Sequence, residues 1–137
     1  MGEPIAPPVT SLSAPFWKAA SEGQLVLPHC VTTDRPFWPP SPASPFVTGG
    51  AVEWRPAEPD GVLRSRVVYR RAFQKVLEAK LPYGIGLVEL GSGVRLQAHV
   101  PDSDADGAPR AGDAVTLYFA PLLEGNPPVP HVRRRDG

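Results

Sequence analysis

The sequence predicts a mainly β protein in which a short N-terminal helix and a hairpin precede a five-stranded barrel. Of the 137 residues, 19 are proline. Proline interrupts long helices because it lacks an amide donor and clashes with the preceding turn. Residues 94–100 alternate apolar and polar side chains, which is the pattern of a strand with one wet face. Several other short apolar runs are separated by turn residues, which suits a small barrel.

Composition narrows the class of protein. Lys and Arg number 14, and so do Asp and Glu, so the formal net charge is zero. Non-specific nucleic-acid binders usually carry a positive excess, and this chain lacks one. Its one cysteine, Cys30, cannot form an internal disulfide or hold a structural metal alone. We see no signal peptide and no run long enough to span a bilayer, so we expect a cytoplasmic protein.

The N-terminal segment predicts a flexible arm followed by one helix. Residues 1–12 are rich in proline and polar side chains and are interpreted as the arm. Ser13 is a predicted N-cap for a helix over 14–22, and Pro15 fits its first turn, where a missing amide donor costs little. Gly23 is the predicted C-terminal stop.

A hairpin should follow the helix. Residues 24–29 form a short apolar strand, and residues 35–38 return as its partner. The segment 39–50 is a loop on its proline, serine and glycine content. Residues 51–55 form a further short strand that carries Trp54.

The regular β pattern begins after residue 60. The predicted strands are 62–71, 83–90, 94–100, 114–120 and 129–134. Between the first two strands, residues 73–80 repeat apolar side chains at helical spacing and are predicted to form a helical insert. The chain therefore divides into an arm (1–12), a helix with a hairpin (13–57) and a barrel (58–137).

The order of these elements resembles an acyl-CoA-associated protein family, long catalogued as domain of unknown function thirty-five. The resemblance covers roughly residues 16–132. Its local marks are Phe16-Trp17, Glu22-Gly23-Gln24-Leu25, Cys30, Phe37-Trp38-Pro39-Pro40, Val67-Val68-Tyr69, Pro82-Tyr83, Val88-Glu89-Leu90 and Gly112-Asp113-Ala114-Val115. The resemblance implies a rubredoxin-like zinc ribbon followed by an OB-type barrel.

The resemblance also implies a function. Proteins of this family assist thiolase-fold enzymes, so we expect a non-catalytic accessory subunit in a hetero-oligomer. The complex would perform acyl transfer, condensation or aldol cleavage on acyl-thioester substrates. No tightly bound cofactor is expected, and a coenzyme A thioester at a shared interface is the one ligand suggested. The alternative is an OB-fold protein that binds single-stranded nucleic acid, which zero net charge disfavours.

The ribbon departs from the family pattern at its metal ligands. The family carries two CxxC pairs, since structural zinc takes four tetrahedral ligands. Cys30 stands at the first of these positions, and Thr33, Ser44 and Val47 stand at the other three. We therefore expect a degenerate ribbon without zinc, in which Cys30 is a vestigial metal position. Aromatic side chains should hold it instead: Phe37, Trp38, Phe46 and Trp54.

Two groups of side chains are candidates for a partner or acyl-CoA surface. The first is a basic stripe on the barrel. It consists of Arg64, Arg66, Arg70, Arg71 and Arg95. Arginines of this kind bind phosphate or an acidic partner, and the alternative is a solvated strand face. The second group is aromatic: Phe16, Trp17 and Trp38, with Phe73 of the insert. Aromatic residues in excess of what a small segment can bury are typical of interfaces.

No catalytic residue is predicted. Tyr69 and His99 lie on neighbouring β segments, but no base with an orienting partner stands near either in the sequence. Asp102, Asp104 and Asp106 alternate like a calcium loop without that motif's glycine and glutamate in register, so they are interpreted as a solvated loop.

Overall fold

The computed structural model describes residues 10–71 and 75–135. Its described residues fall into two compact units. The first unit contains the described residues up to Glu58 together with Phe119–Val129. The second unit contains Pro59–Tyr118 together with the described residues from Pro130 onward.

The first unit contains a helix and a three-stranded sheet. The elements are α1 (Ala14–Ser21), β1 (Val26–Cys30), β2 (Arg35–Pro36) and β3 (Val52–Pro56). The strand order is β2-β1-β3, and both pairings are antiparallel. The hairpin expected from the sequence is present, and β3 completes the sheet on its other side.

The other five strands form a closed barrel. They are β4 (Asp60–Tyr69), β5 (Tyr83–Leu90), β6 (Arg95–Val100), β7 (Ala114–Pro121) and β8 (Pro128–Arg134). Their order around the barrel is β4-β5-β6-β8-β7. The predicted fold class, a short helix and ribbon-like hairpin before a five-stranded OB-type barrel, is confirmed.

The ends of α1 differ in how well the sequence predicts them. Gly23 has a φ of +78°, so the predicted glycine stop is confirmed. The predicted side-chain cap is wrong, because the Ser13 hydroxyl makes no capping bond. Ser13 instead bonds with Thr10, whose backbone N–H donates to its Oγ at 3.1 Å. The Thr10 carbonyl also accepts from the Ala14 amide at 2.8 Å, so the chain is already turning before the helix begins.

Every second side chain of β5 and β6 is buried, and these side chains contribute to the barrel core. Val88 and Leu90 on β5 are buried, as are Leu96 and Val100 on β6. Arg95 and Gln97, which occupy the alternate positions, are exposed. Burying each of these aliphatic side chains stabilises the fold by about 1.5–3 kcal/mol.

The insert between β4 and β5 is a 3₁₀ helix over Lys75–Lys80 rather than an α-helix. Leu77 is buried and anchors it. Residues 73 and 74 of the predicted insert lie outside the described residues, so the candidate Phe73 cannot be placed. In the described part of the chain, no helix is long and apolar enough to cross a membrane.

Candidate functional site

Aromatic side chains cluster around α1 in the first unit. The Phe16 ring is 1% exposed, and its centroid lies 4.8 Å from that of Trp17 and 4.6 Å from that of Trp38. The Phe119 ring, in the same unit, packs edge-on at 5.8 Å. Trp17 and Trp38 are both partly exposed. We call these two tryptophans the aromatic face; Phe16 lies beneath it and supports it.

Two of the arginines on the barrel share one carboxylate. Arg64 Nη2 donates to Glu89 Oε2 at 2.7 Å, and Arg95 Nε donates to Glu89 Oε1 at 3.0 Å. Arg64 and then Arg95 lower the pKa of Glu89. Both arginine side chains are at least half exposed, so each pair contributes little to stability.

Arg66 and Arg70 both reach the loop between β6 and β7. Arg66 Nη1 donates to the carbonyls of Ser103 and Pro109, at 2.9 and 3.0 Å. Arg70 makes a bidentate pair with Asp104, with N–O distances of 2.6 and 3.0 Å. Arg64, Arg66 and Arg70 are therefore all engaged within the chain, and a phosphate would have to compete with those partners.

The knuckle after β1 brings three of the four ligand positions together. Cys30 has no exposed surface. The side chains of Ser44 and then Thr33 hydrogen-bond its sulfur, and the backbone amides of Thr33 and Thr32 also point at it. These bonds stabilise the thiolate and lower the pKa of Cys30 to about 7. The sequence places Thr33 and Ser44 at ligand positions, and in the structure both of their side chains contact the Cys30 sulfur.

The two turns that form the knuckle are fixed by local bonds. Asp34 adopts a φ of +56°, and its amide donates to the Cys30 carbonyl at 2.8 Å. Ser44 Oγ accepts from the amides of Phe46 and Val47 at 3.0 and 3.2 Å. The Ser44 hydroxyl therefore organises its own turn as well as facing the thiol.

The aromatic side chains expected to hold the knuckle do so only in part. Phe37 is buried and meets Phe46 edge-on, with ring centroids 6.2 Å apart. Phe46 is 37% exposed, and the guanidinium of Arg35 lies 4.0 Å from its ring centroid. Trp38 packs on Phe16 instead.

A row of rings runs across the barrel. Tyr69 stacks on Tyr83 at 5.3 Å, and Tyr83 stacks on His99 at 5.4 Å. His99 meets His131 at 4.8 Å, and Tyr118 meets His131 at 5.3 Å. Burial lowers the pKa of His99 to about 4, with smaller effects from His131 and Lys80. Sequence reasoning weighed Tyr69 and His99 but missed His131, which lies on β8, two strands after its partner His99 on β6.

Two family models match the chain in the order that the fold displays. Residues 17–44 match the ChsH2 rubredoxin-like zinc ribbon domain. Residues 54–120 match the ChsH2 C-terminal OB-fold domain, and the two segments together cover more than half of the chain. The chain belongs to the ChsH2 family. The predicted family is thereby confirmed.

A solved structure supports the fold of this ChsH2 family chain. The structure titled "Ltp2-ChsH2(DUF35) aldolase" contains a chain with 23% sequence identity to it and a TM-score of 0.76. The match covers 93% of the present chain and 98% of the other. Among curated protein sequences there is no significant match.

The family match corrects the expectation about zinc. We expected no zinc, and this is wrong on the finding that residues 17–44 match a rubredoxin-like zinc ribbon domain. The donor set at the knuckle differs from that of a four-ligand site, because Cys30 faces the hydroxyls of Thr33 and Ser44. Across residues 10–71 and 75–135, no three His, Cys, Asp or Glu side chains lie where they could share a metal ion. The residues present do not fit a structural zinc site with four protein ligands.

The convergence on Cys30 predicts how the knuckle responds to restored ligands. The triple variant Thr33→Cys, Ser44→Cys, Val47→Cys should bind cobalt(II) or zinc at least a hundredfold more tightly than the natural chain. The natural chain offers one thiolate at these positions and the variant offers four, as tetrahedral sites require. Cobalt titration followed by visible absorption measures this.

A matched variant carries the same number of cysteines one residue earlier: Thr32→Cys, Ala43→Cys, Phe46→Cys. It should bind no more tightly than the natural chain. Equal binding by the two triple variants would contradict the convergence of Thr33 and Ser44 on Cys30.

Proposed function

We propose that this chain is a non-catalytic accessory subunit of a thiolase-like complex that performs acyl transfer, condensation or aldol cleavage on acyl-thioester substrates. The observation that carries the proposal is the pairing of a ribbon segment with an OB-type barrel, matched in order by both ChsH2 models. The similar solved chain belongs to a structure whose title names Ltp2, ChsH2 and an aldolase. An aldolase-type complex is therefore the first assembly to test.

The placement of the reactive side chains supports an accessory role. The Cys30 thiol has no exposed surface, and His99 and His131 are 6% and 5% exposed. His29 Nδ1 lies 3.0 Å from the Leu27 carbonyl, within hydrogen-bonding distance. A nucleophile or general base must reach the substrate, so the burial of Cys30, His99 and His131 favours a complex in which the partner supplies the bond-making groups.

The aromatic face is the partner surface that we propose. Trp17 and Trp38 keep part of their rings exposed over the buried Phe16. Tryptophan in such a setting is the residue type most enriched at energetic centres of interfaces. The arginines Arg64, Arg66 and Arg70 would serve a phosphate of coenzyme A only by exchanging their present partners.

We also propose a division of labour along the chain. Residues 13–57 would make the partner contact, residues 58–137 would supply the barrel, and residues 1–12 would act as an arm. A cytoplasmic setting suits a chain whose single cysteine is a free thiol.

The test is reconstitution. The chain is co-expressed with a thiolase-fold aldolase subunit, and the resulting complex is assayed for retro-aldol cleavage and acyl transfer on acyl-CoA substrates. The proposal expects activity from the complex and none from this chain alone. Turnover by the isolated chain, or salt-dependent binding of single-stranded oligonucleotides with no protein partner recovered, would overturn it.

Removing one ring of the aromatic face should weaken the complex. Trp17→Ser is expected to reduce partner affinity about thirtyfold, roughly 2 kcal/mol, because it deletes a central aromatic anchor. Calorimetric titration of the chain into its partner measures the change. The matched control is Val67→Ser, which removes an apolar side chain that is 59% exposed on the barrel. An equal loss in both variants would contradict the assignment of the face.

A further inference from the structure

The barrel closes at one place through very little backbone pairing. β6 and β8 run parallel, and their register has a single paired position, His99 opposite His131. By contrast, β4 pairs with β5 along nearly its whole length, and so does β5 with β6. We call the contact of β6 with β8 the seam.

Two imidazoles occupy the seam. His99 and His131 are 6% and 5% exposed, and their ring centroids lie 4.8 Å apart. Tyr83 of β5 stacks on His99, and Tyr118 of β7 contacts His131. The pair is thus enclosed by rings from both neighbouring strands.

Little on the surrounding elements would stabilise a positive charge at His99. The charged groups that act on it are Lys80 of the 3₁₀ helix and His131 of β8, and both disfavour the imidazolium. Tyr69 of β4 stacks on Tyr83, which in turn stacks on His99. Burial raises the pKa of Tyr83, so its phenol adds no negative charge beside His99. Tyr118, which contacts His131, has the guanidinium carbon of Arg133 5.3 Å from its ring centroid. Burial raises the pKa of Tyr118, and Arg133 and Asp102, the latter in the loop between β6 and β7, have smaller effects on it.

We propose that the His99–His131 pair is an acid-sensitive closure of the barrel. While His99 is neutral, its ring packs on that of His131 and holds β6 against β8. When His99 takes up a proton, a buried positive charge appears where burial, His131 and Lys80 all disfavour it, and the seam opens. The β4–β5–β6 meander is paired along nearly its whole length, so it remains folded at pH values where the seam has opened.

The direction of the pH effect follows from the folded and unfolded pKa values. An unfolded histidine titrates near about 6.5, and burial lowers the pKa of His99 in the fold to about 4. The stabilisation is therefore complete above the unfolded pKa and is lost as the pH falls from there towards the folded pKa. In that window the unfolding equilibrium constant should rise by up to about tenfold per pH unit.

A cleft lies beside the seam. Its volume is about 220 Å³, and it is lined by Tyr118 and Val132 of the barrel and by the loop from Pro101 to Pro109. Because Tyr118 contacts His131, the space of this cleft is separated from the pair by the Tyr118 ring.

Urea unfolding of the full chain between pH 5 and 7.5 tests the proposal. In this range carboxylates remain ionised, so histidines dominate the pH dependence. All three tyrosines lie in the second unit and report on the barrel. We expect the natural chain to lose stability with a slope approaching one proton per molecule, and His99→Phe to lose most of that slope. His29→Gln, a change in the first unit, should keep it.

Two measurements on the natural chain keep the test independent of variants. Histidine NMR signals should show the His99 ring neutral at pH 5.5. Amide hydrogen exchange should accelerate on acidification in β6 and β8 before it does in β4. A slope that survives His99→Phe, an imidazolium at His99 at pH 5.5, or equal acceleration in all strands would overturn the proposal.

Discussion

Phe16→Ala should lower the free energy of unfolding of the first unit by about 3–5 kcal/mol. The Phe16 ring is 1% exposed and contacts three other aromatic rings, so truncation removes its burial and leaves a cavity that those rings fill only partly. All three tryptophans belong to this unit. Tryptophan fluorescence during urea unfolding therefore reports the loss directly.

Leu12→Ala is the matched control, since it truncates a side chain 39% exposed just before the same helix. Its effect should stay within about 0.5 kcal/mol. The prediction fails if Phe16→Ala costs less than about 1 kcal/mol, or if tyrosine signals from the barrel change as much as the tryptophan signals do. Either outcome would mean that the cluster does not organise the first unit.

Local chemistry explains why some elements were predictable. The bounds of β5 coincide with the predicted 83–90, because the apolar and glycine positions stand between two turn segments. Gly23 ends α1 for a reason that lies in its own backbone freedom. The Ser13 cap was wrong because Thr10 competes for the same hydroxyl and supplies the first turn's acceptor instead.

Long-range partners explain what was not predictable. The alternation on β6 places His99 on the wet face, yet His99 is buried because β8 brings His131 beside it. Nothing close in sequence to the arginines of the basic stripe indicated that they form ion pairs, because their carboxylate partners lie far along the chain. Arg64 pairs with Glu89, 25 positions away, and Arg70 pairs with Asp104, 34 positions away. Spacing within one strand carries no information about either.

The knuckle shows a different limit of sequence reasoning. Counting cysteines indicated a chain without zinc, whereas the family match assigns the segment to a zinc ribbon domain. Three of the four positions still come together although two of them no longer carry cysteine, since the Thr33 and Ser44 side chains meet the Cys30 sulfur. Backbone turns such as the one at Asp34 fix where those side chains point, whichever donor atom they carry. The sequence therefore allowed the ligand positions of the ribbon to be identified, but it led to the wrong expectation about zinc.

Gly61→Ala should destabilise the barrel by about 3 kcal/mol, at the upper end of the usual cost of overpacking. A Cβ at this position would collide with the backbone carbonyl oxygen of Glu89, and it would lie 3.0 Å from that carbonyl carbon and 3.1 Å from the Leu90 Cα. Backbone atoms cannot rotate away as a side chain can. Gly61 pairs with both Leu90 of β5 and Val115 of β7, so relief requires separation of the strands that close the barrel.

Gly91→Ala is the matched control for Gly61→Ala. Both substitutions restrict the unfolded chain equally, so a difference in stability between the two variants arises in the folded state. A methyl group on the Gly91 Cα would meet no atom within 4 Å apart from those of its own chain neighbours, and the φ of Gly91 lies outside the left-handed region. Alanine there should therefore be neutral or stabilising by up to about 1 kcal/mol. Far-UV circular dichroism and tyrosine fluorescence in urea measure both variants. A Gly61→Ala variant as stable as Gly91→Ala would mean that β4 and β5 can part at this point at no cost, and that the barrel is held elsewhere.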